Sequence, residues 1–514
     1  MWITVNKFLR GLLNIWSLCG MIILLCTAYF YLGWSGFGEQ GEVNFASVSW
    51  LLYQGYPLYT DIDFPARYSL QHGPIIYILA GGIMKMLGPS FITAKLSGII
   101  ALLCAVVISW VWFAKLIDKK SAFLLVGLET WILFHWHHIY FIRPDSMMLL
   151  CVVVSMYLIT TKQNRWVLIL ALTIPLAIMA NLKIHGVIYF LPIIVIAYPR
   201  LGLKNLSYAG CLALLLATLP FFVPQIYWNN YLLWLFQSIY HGFSISNLIP
   251  KVMMLIVLFL LPITIGTIYG VNMRSFYVRN KPTILTLLCS ALVISIIASK
   301  GGSGTNHLIP FVPIVCYLIV LLVCERKKAD GHLRVVVRPT FSTKLSSILL
   351  ALVLVVITVS GISTEKRLFK MIVASDKIEM AQELQSIAKF YPGKTMEVGY
   401  GEEKSYNEYD DLIPLLVFHG NPLLIEAVAL GDMTQAGLPI PPATIKSMQE
   451  GVIQIWLIPV GNIPFAMNDR LGKDSENQVF SELFRQTFFE NYQLDSSTAF
   501  FDIWIYRNEK NMNK

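Results

Sequence analysis

The chain has 514 residues, of which 56% are hydrophobic and only 13% are charged, and its mean hydropathy is +0.63. Soluble globular domains carry about 25% charged residues, so this composition excludes a soluble protein and indicates a polytopic membrane protein. The net charge of +9 is uneven, because residues 1–362 carry +16 and residues 363–514 carry −7. The positive charge belongs to the loops of the membrane part, and the acidic C-terminal part argues further against a nucleic-acid partner.

The sequence lacks the common signatures of metal and nucleotide sites. All eight cysteines lie in or at the ends of hydrophobic segments, and no pair has the spacing of metal ligands. Apolar packing explains them better than disulfides or a metal site. No Walker A, dinucleotide-binding or HExxH motif is present, so a soluble nucleotide donor is not indicated.

The first hydrophobic segment follows Lys7 and Arg10 and ends near Gly33. It is too long for the core of a signal peptide, and we predict that it is a transmembrane helix with its N-terminus inside. Ten further spans bring the predicted total to about eleven. They lie near Phe91–Leu116, Ser121–His138, Ser146–Thr160, Trp166–Leu182, Gly186–Tyr198, Leu206–Val223, Val252–Gly270, Thr283–Ser299, Leu308–Val323 and Leu345–Ile362.

Residues 34–90 form the first loop, which is the richest polar passage in the first third of the chain. Its ionisable side chains include Glu39, Glu42, Asp61, Asp63, Arg67 and His72. The pattern of Val43–Tyr53 is typical of an interfacial helix. Pro74–Leu87 is apolar but has only 14 residues, which is too short for a span. We therefore interpret it as a juxtamembrane or re-entrant helix, an interpretation that fixes the side of every later loop.

The distribution of positive charge supports this topology. Of the 25 Lys and Arg in residues 1–362, 18 fall in loops assigned to the inside, as the positive-inside rule expects. This asymmetry predicts an inside N-terminus and an outside C-terminus. It also places the first loop outside.

The sequence changes character after Ile362. Helix-like segments, Glu365–Phe390 and Gln478–Tyr492, alternate with the strand-like runs Thr395–Tyr400, Val452–Val460 and Ala499–Arg507. This pattern predicts a small extracytoplasmic α/β domain over residues 363–514. Residues 1–362 form the predicted transmembrane domain.

Several unusual polar residues share the predicted outside face. They are Arg143 and Asp145 in FIRPDS, Lys183 and His185 in NLKIHG, and Lys300 and His307 in KGGSGTNH. Interfacial anchoring is an alternative for any single cation, but it does not explain why carboxylates and imidazoles share one face. The glycines of GGSG could bring backbone N–H groups close to a phosphate, although a flexible turn is the simpler interpretation.

Glu129 stands apart, because it lies inside the third predicted span in VGLETWIL. Intramembrane carboxylates are costly and often functional. A structural role, in which Glu129 is neutral and hydrogen-bonded or is paired with a cation, and a functional role both fit the sequence.

Four stretches, in order, resemble the polyprenyl-phosphate-dependent glycosyltransferases of the GT-C superfamily. The similar branch contains the protein O-mannosyltransferases and the lipid A aminoarabinose transferases. GEVNFASVSWLLYQGYPLYTDID resembles its acidic first outside loop, and QHGPIIYIL resembles the start of its next helix. FIRPDSMML and KGGSGTNHLIPFVP resemble two later segments of the family. The resemblance covers roughly residues 1–325 and, more loosely, the C-terminal part.

The resemblance implies a GT-C fold with an extracytoplasmic active site. It assigns the general base to an acid of the first loop, and Glu42 is the first choice for this role. This chain has Gly41-Glu42 where many members have Asp-Glu, so Asp61 and Asp63 remain alternatives. The implied donor-phosphate ligands are Arg143, Lys183, His307 and Lys300. The implied substrate-binding residues are Arg67, His72, Asp145 and His185.

The resemblance also implies partners and a location. The donor is a sugar linked to polyprenyl phosphate, and the acceptor is a lipid, a polysaccharide or a protein. The enzyme would reside among membrane lipids of a bacterial plasma (inner) membrane, with its active site facing the periplasm. No firm metal site is present. Some branches of the superfamily require a divalent metal, and Glu42 with Asp61 and Asp63 could bind Mg²⁺ or Mn²⁺.

Two other functions compete with sugar transfer. A transporter or flippase of lipid-linked sugars would use Glu129 as a coupling site. The sequence has no repeated halves and no matching broken helices, which many transporters show. A non-catalytic scaffold leaves the shared polar face unexplained.

Overall fold

The computed structural model describes residues 2–237, 240, 242–300, 303–330, 341–373, 376–402, 409–467 and 479–507. Contacts within the chain define two compact units, which are described separately. The helical unit comprises Met1–Tyr31, Gly98–Leu219 and Phe243–Lys370. The mixed unit comprises Leu32–Ser97, Pro220–Gly242 and Met371–Lys514.

Helices dominate the described chain. The α-helices up to residue 268 are α1 (Trp2–Gly33), α2 (Gln40–Tyr53), α3 (Ile75–Leu87), α4 (Phe91–Leu116), α5 (Lys119–Leu133), α6 (Pro144–Thr161), α7 (Arg165–Leu182), α8 (Leu191–Thr218), α9 (Trp228–Gln237) and α10 (Ile245–Ile268). The later ones are α11 (Met273–Ile297), α12 (Val312–Asp330), α13 (Phe341–Val373), α14 (Lys377–Phe390), α15 (Ile413–Phe418), α16 (Ala427–Gln435), α17 (Pro442–Gln449) and α18 (Glu482–Asn491). Short 3₁₀ helices cover His137–Ile139, Ile184–Phe190, Leu219–Phe222, Thr305–Phe311 and Asp410–Leu412.

Within the described residues, nine helical stretches are long and apolar enough to cross a membrane. The polytopic helical fold class is thus confirmed, and the difference from eleven has two causes. Helix α5 has only 15 residues. Two predicted spans are joined in Ile184–Phe222, a stretch of 39 residues. Gly202 interrupts this stretch with a φ of 67°, a left-handed conformation that glycine adopts readily and that kinks the chain. The predicted orientation stays a prediction.

Small and polar residues bring the helices of the helical unit close together. A Cβ on Gly127 would lie 2.2 Å from the hydroxyl of Ser17, so α1 and α5 touch through a glycine. Between α6 and α7, the hydroxyl of Ser155 donates to the carbonyl of Ala171 over 2.7 Å. Such close approaches and polar links between helices are characteristic of membrane proteins, where the hydrophobic effect does not drive association.

The first loop forms two packed helices of the mixed unit, α2 and α3. Both were predicted, and α3 has 13 residues, too few to span a membrane. A Cβ on Gly81 of α3 would lie 2.4 Å from the carbonyl oxygen of Ser49 in α2. Glycine at this position therefore lets the two helices approach closely, and this approach fixes the position of α2.

The C-terminal part contains a four-stranded sheet with the order β1-β2-β4-β3. Its strands are β1 (Met396–Val398), β2 (Ile455–Pro459), β3 (Tyr492–Ser497) and β4 (Phe501–Tyr506). Strand β1 pairs with β2 in parallel, and the other pairs are antiparallel. Phe465 packs against Phe480, Phe484 and Phe488, with ring centroids 5.0 Å apart in each pair. The predicted small α/β fold of this part is confirmed, with one strand, β3, that was not predicted.

Inside the mixed unit, the first loop is bonded to C-terminal residues. Arg67 forms a parallel bridge with Ile425. The N–H of Arg67 donates to Leu424 over 2.7 Å, and the N–H of Glu426 donates to the carbonyl of Arg67 over 2.8 Å. The hydroxyl of Thr444 donates to the carbonyl of Pro65 over 2.6 Å. The C-terminal part therefore helps to determine the conformation of the first loop.

Candidate functional site

The helical unit contains a compact cluster of charged side chains around Asp145. This aspartate lies in the first turn of α6 and its side chain is 1% exposed. The ammonium of Lys183 lies 3.0 Å from one carboxylate oxygen, and Nε of Arg143 lies 3.2 Å from the other. Arg143 is the residue immediately before α6, and Lys183 is the residue immediately after α7. The cluster carries one more positive than negative charge, which suits it to an anionic ligand.

Two histidines extend this cluster. The rings of His185 and His307 lie 5.3 Å apart, and the charge of His307 interacts with that of Asp145. Nε2 of His307 lies 3.0 Å from the hydroxyl of Ser303. Nε2 of His185 and Nδ1 of His307 are buried without a hydrogen-bond partner within the described residues. Buried polar atoms without partners are uncommon in folded proteins, so these two nitrogens are candidates to bind a polar ligand.

Lys300 lies at the edge of the same cluster. Its charge acts on His185, and its backbone carbonyl accepts a hydrogen bond from Asn247 over 3.0 Å. The segment after it is held by Lys251, whose ammonium donates to the carbonyl of Ser303 over 3.0 Å. Gly301 and Gly302 of the GGSG segment lie outside the described residues. The structure thus brings together six sequence-predicted residues: Arg143, Asp145, Lys183, His185, Lys300 and His307.

Glu42, the predicted base, belongs to the mixed unit. It lies in the first turn of α2 and is fully buried. Its Oε2 accepts the N–H of Gly38 over 2.6 Å. The N-terminus of a helix favours a negative charge, so both the hydrogen bond and the helix stabilise the carboxylate. A buried, oriented carboxylate of this kind is suited to accept a proton.

Asp61 and Asp63 differ from Glu42 in their surroundings. Both are exposed, and one oxygen of Asp61 accepts the N–H of Asp63 over 3.0 Å. This is the hydrogen bond of an Asx turn, in which an aspartate fixes its own backbone. The structure therefore gives Asp61 a role in shaping the loop.

Arg67 and His72 take different positions in the loop. The guanidinium of Arg67 is fully buried and donates to the carbonyls of Asp61, Ile62 and Ala66. Burial lowers the pKa of Arg67 to about 10, although the charges of both aspartates oppose this shift. The ring of His72 is only half-buried and packs 5.1 Å from that of Phe45, one turn beyond Glu42 in α2. His72 is therefore better placed than Arg67 to meet a ligand.

The first loop does not fit a divalent metal. Within the described ranges, no three His, Cys, Asp or Glu side chains are close enough to hold one. Glu42 is buried against the N–H of Gly38, whereas Asp61 and Asp63 are exposed. No catalytic step is assigned to a metal here.

Glu129 is fully enclosed among helices α4, α5 and α12. One of its oxygens accepts the hydroxyl of Ser109 over 3.1 Å. The other has no hydrogen-bond partner among the described residues. No cation pairs with Glu129 in that part of the chain, which fits a neutral carboxyl within the bundle.

The sequence did not single out four charged residues around α2. The charge of Lys95, which is fully buried in α4, interacts with those of Glu42 and Asp411. Asp411 lies 2.7 Å from the ammonium of Lys377, and Glu426 accepts the side-chain amide of Asn44 over 2.9 Å. Lys95 resembled an ordinary interfacial lysine, and no local pattern links residue 42 to residues 377, 411 and 426.

No protein-family model matches the chain, and no curated protein matches it. Solved structures do match. ArnT from Cupriavidus metallidurans in the apo state aligns with a TM-score of 0.53 at 12% identity, over 88% of this chain and 93% of its own. ArnT from the same organism bound to undecaprenyl phosphate gives 0.53 at 10% identity, over 96% and 98%. The oligosaccharyltransferase of Archaeoglobus fulgidus in a complex with Zn and sulfate gives 0.41 at 9% identity, over 85% and 68%, a score too low to establish a shared fold.

The ArnT alignments include 88% and 96% of the chain. At this low sequence identity, the alignments establish the fold alone. The chemistry has to be inferred from the residues described above. The chain therefore shares the fold of ArnT.

Proposed function

We propose that this protein is a membrane glycosyltransferase that moves a sugar from polyprenyl phosphate to an acceptor hydroxyl on the extracytoplasmic side. The observation that carries the proposal is the fold shared with ArnT, which has been crystallised with undecaprenyl phosphate. The cations Arg143 and Lys183, with His307 beside them, support it, because such a cluster suits a phosphate. The sugar is a hexose or a pentose, and the acceptor is a lipid, a polysaccharide or a protein. The reaction is a step of cell-envelope glycosylation at a bacterial inner membrane.

In the proposed reaction, Glu42 accepts the proton of the acceptor hydroxyl. The acceptor oxygen attacks the anomeric carbon, and the bond between that carbon and the phosphate oxygen breaks. The electron pair stays on the phosphate, so polyprenyl phosphate leaves with one additional negative charge. Arg143 and Lys183 stabilise this charge because their own charges are only partly offset by Asp145.

The two buried imidazoles and the first loop have further proposed roles. His185 and His307 contact the phosphate through Nε2 and Nδ1, respectively, which have no hydrogen-bond partner among the described residues. Lys300 contacts it from the edge of the cluster. His72 contacts the sugar or the acceptor. Asp145 orients Arg143 and Lys183, and Arg67 with Asp61 and Asp63 holds the loop in shape.

The test is release of free polyprenyl phosphate from a polyprenyl-phosphate sugar by the purified protein. We expect release by the wild type and a loss of at least about 100-fold in Glu42→Gln, because general-base catalysis contributes about 10²–10⁴-fold. Glu450→Gln is the matched control, since that glutamate is 56% exposed. An active Glu42→Gln protein would remove Glu42 from the mechanism.

The same assay separates transfer from transport. Reconstituted vesicles with labelled donor on one leaflet report both movement and cleavage. Movement of the intact donor without bond cleavage would contradict the proposal and indicate a flippase.

A further inference from the structure

The segment 34–38, which leads into α2, is held by charged side chains from two distant parts of the chain and by Glu42 of α2 itself. The carbonyl of Trp34 accepts the ammonium of Lys95 over 2.7 Å. The N–H of Phe37 donates to Asp411, and the N–H of Gly38 donates to Glu42 over 2.6 Å. The turn is tight, because a Cβ on Gly36 would lie 2.9 Å from the Trp34 ring and 3.2 Å from Asp411.

Lys95 is the cation at the centre of this arrangement. Its side chain is fully buried, and its ammonium lies 5.3 Å from the centroid of the Trp34 ring and 5.4 Å from that of Phe37. Its charge interacts with that of Glu42 and, more weakly, with that of Asp411. A buried ammonium is costly unless opposite charges compensate it, so Lys95 and the two carboxylates depend on one another.

Asp411 connects Lys95 to the C-terminal part through its charge. It is 3% exposed and lies 2.7 Å from the ammonium of Lys377. Two carboxylates, Glu42 and Asp411, thus share the field of Lys95, while Lys377 pairs with Asp411. Asp411 competes with Glu42 for the positive charge.

We propose that Lys95 is a positioning residue that keeps Glu42 ionised and oriented for proton transfer, and that Asp411 tunes this effect from the C-terminal part. The inference rests on the proposed function, in which Glu42 is the base. Neither residue contacts substrate in this scheme. Both act through the charge and the position of the Glu42 carboxylate.

Other titratable groups also surround α2. They have to stay unchanged when the effect of Lys95 and Asp411 on Glu42 is measured. Helix α2 packs against α3, α15, α16 and the 3₁₀ turn at Asp410–Leu412, and α15 carries no titratable side chain. The remaining groups are Glu39 and Tyr53 near or on α2, His72 beside it, Tyr77 and Lys85 on α3, Asp410 in the turn, Glu426 before α16 and Asp432 on α16. All of them are unchanged in the variants below, apart from the Lys85 control.

The experiment is the pH profile of kcat/KM for donor cleavage. Removal of a nearby opposite charge raises the pKa of a carboxyl by about one to three units. In Lys95→Met, the acidic limb of the profile should therefore move upward by at least about one pH unit. Lys95→Arg, which keeps the charge, should restore its position. Lys85→Met is the matched control, because Lys85 is an exposed lysine of the same unit and its loss should leave the limb unchanged.

Asp411→Asn provides the opposite test. It removes a competing negative charge and releases the charge of Lys377, so the acidic limb should move to lower pH. A merely structural role would lower kcat without opposite shifts in the two variants. An active Lys95→Met protein with the wild-type limb would overturn the proposal. If Lys95→Met does not fold, the absence of a downward shift in Asp411→Asn would overturn it.

These outcomes are separable from failure of the proposed function. An inactive wild type contradicts the proposed function, and an active Glu42→Gln protein contradicts the role of Glu42 as its base. Normal wild-type activity, an inactive Glu42→Gln protein and unshifted Lys95 and Asp411 variants contradict only the role of Lys95 and Asp411.

Discussion

Asp145 and Glu397 show two ways in which this protein stabilises a buried carboxyl group. Asp145 lies between two cations, Lys183 and Arg143. Glu397 has no cation partner within the described ranges and instead accepts the N–H groups of Leu424 and Ile425, over 2.7 Å and 2.8 Å. The first arrangement holds a carboxylate between two cations, whereas the second fixes the backbone.

The pair of Lys183 and Asp145 predicts a strong, asymmetric effect on stability. Lys183→Met leaves a buried carboxylate with Arg143 as its remaining cation, and breaking such a buried pair costs about 3–5 kcal/mol. The loss of stability should lie near the lower end of this range, because Arg143 remains beside the carboxylate. The double variant with Asp145→Asn should recover part of the stability, which thermal unfolding in detergent measures. Additive losses in the double variant would contradict a direct charge pair.

Glu397 predicts that stability falls as pH rises. Burial raises its pKa to about 8 in the folded protein, against the opposing effect of its two N–H donors. The unfolded carboxyl has a pKa of about 4.3. The folded state therefore binds the proton more tightly, so this contribution to stability is complete below about pH 4.3 and is lost as pH rises to about 8.

The measurement is the unfolding temperature between pH 5 and pH 8. Glu397→Gln should start lower, because its amide replaces an oxygen that accepts an N–H, and it should fall less steeply with pH. Glu482→Gln, at a site 68% exposed, should keep the wild-type slope. Glu426, whose pKa burial raises to about 7, should maintain part of the slope in every variant. An unchanged slope in Glu397→Gln would show that Glu397 is not the titrating group.

At the scale of elements, the length and periodicity of the hydrophobic segments predicted the helices. Strand β3 depends instead on its pairing with a neighbouring strand. Helices α2 and α3 follow from their local patterns. Strand β3 did not, because four of its six residues are polar and every residue after Tyr492 is exposed. Its pairing with β4 is a tertiary contact, and no local pattern of side chains encodes it.

The contact between α2 and α3 predicts a difference between two adjacent glycines. In Gly81→Ala, the new Cβ would lie 2.4 Å from both Ser49 O and the Tyr53 ring, so the helices must separate, at a cost of about 1–3 kcal/mol. In Gly82→Ala, the nearest atom is the Tyr53 hydroxyl at 3.1 Å, which can move. Gly81→Ala should lower both the unfolding temperature and donor cleavage, and Gly82→Ala should change neither substantially. Equal effects of the two would contradict close packing at Gly81.

At the scale of the whole molecule, the units are not contiguous in sequence. Composition changes near residue 362 and therefore suggested a boundary there. The compact mixed unit instead combines residues 32–97, 220–242 and 371–514. The bonds that join these segments, such as Arg67 with Ile425 and Asn44 with Glu426, link residues more than 350 positions apart. The motifs predicted candidate site residues, but they gave no information on the contacts that hold those residues in position.

This organisation predicts that the C-terminal part is required for the first loop. A chain ending at Val373 retains the membrane-spanning helices but lacks Asp411, Ile425 and Glu426. Arg67 and Asn44, both fully buried in the intact protein, would lose their partners. We expect this truncated protein to enter the membrane, to become sensitive to trypsin at Arg67, and to lose donor cleavage. Digestion followed by intact-mass analysis identifies the cleavage site.

A chain ending at Arg507 is the matched control, since it retains all four strands. It should resist trypsin at Arg67 and keep donor cleavage. Protection of Arg67 in the chain ending at Val373 would mean that residues 32–97 hold their conformation without the C-terminal segments. In that case, the bonds to Leu424, Ile425 and Glu426 would be consequences of the loop structure rather than its cause. Loss of activity without cleavage at Arg67 would restrict the C-terminal contribution to charges such as that of Asp411.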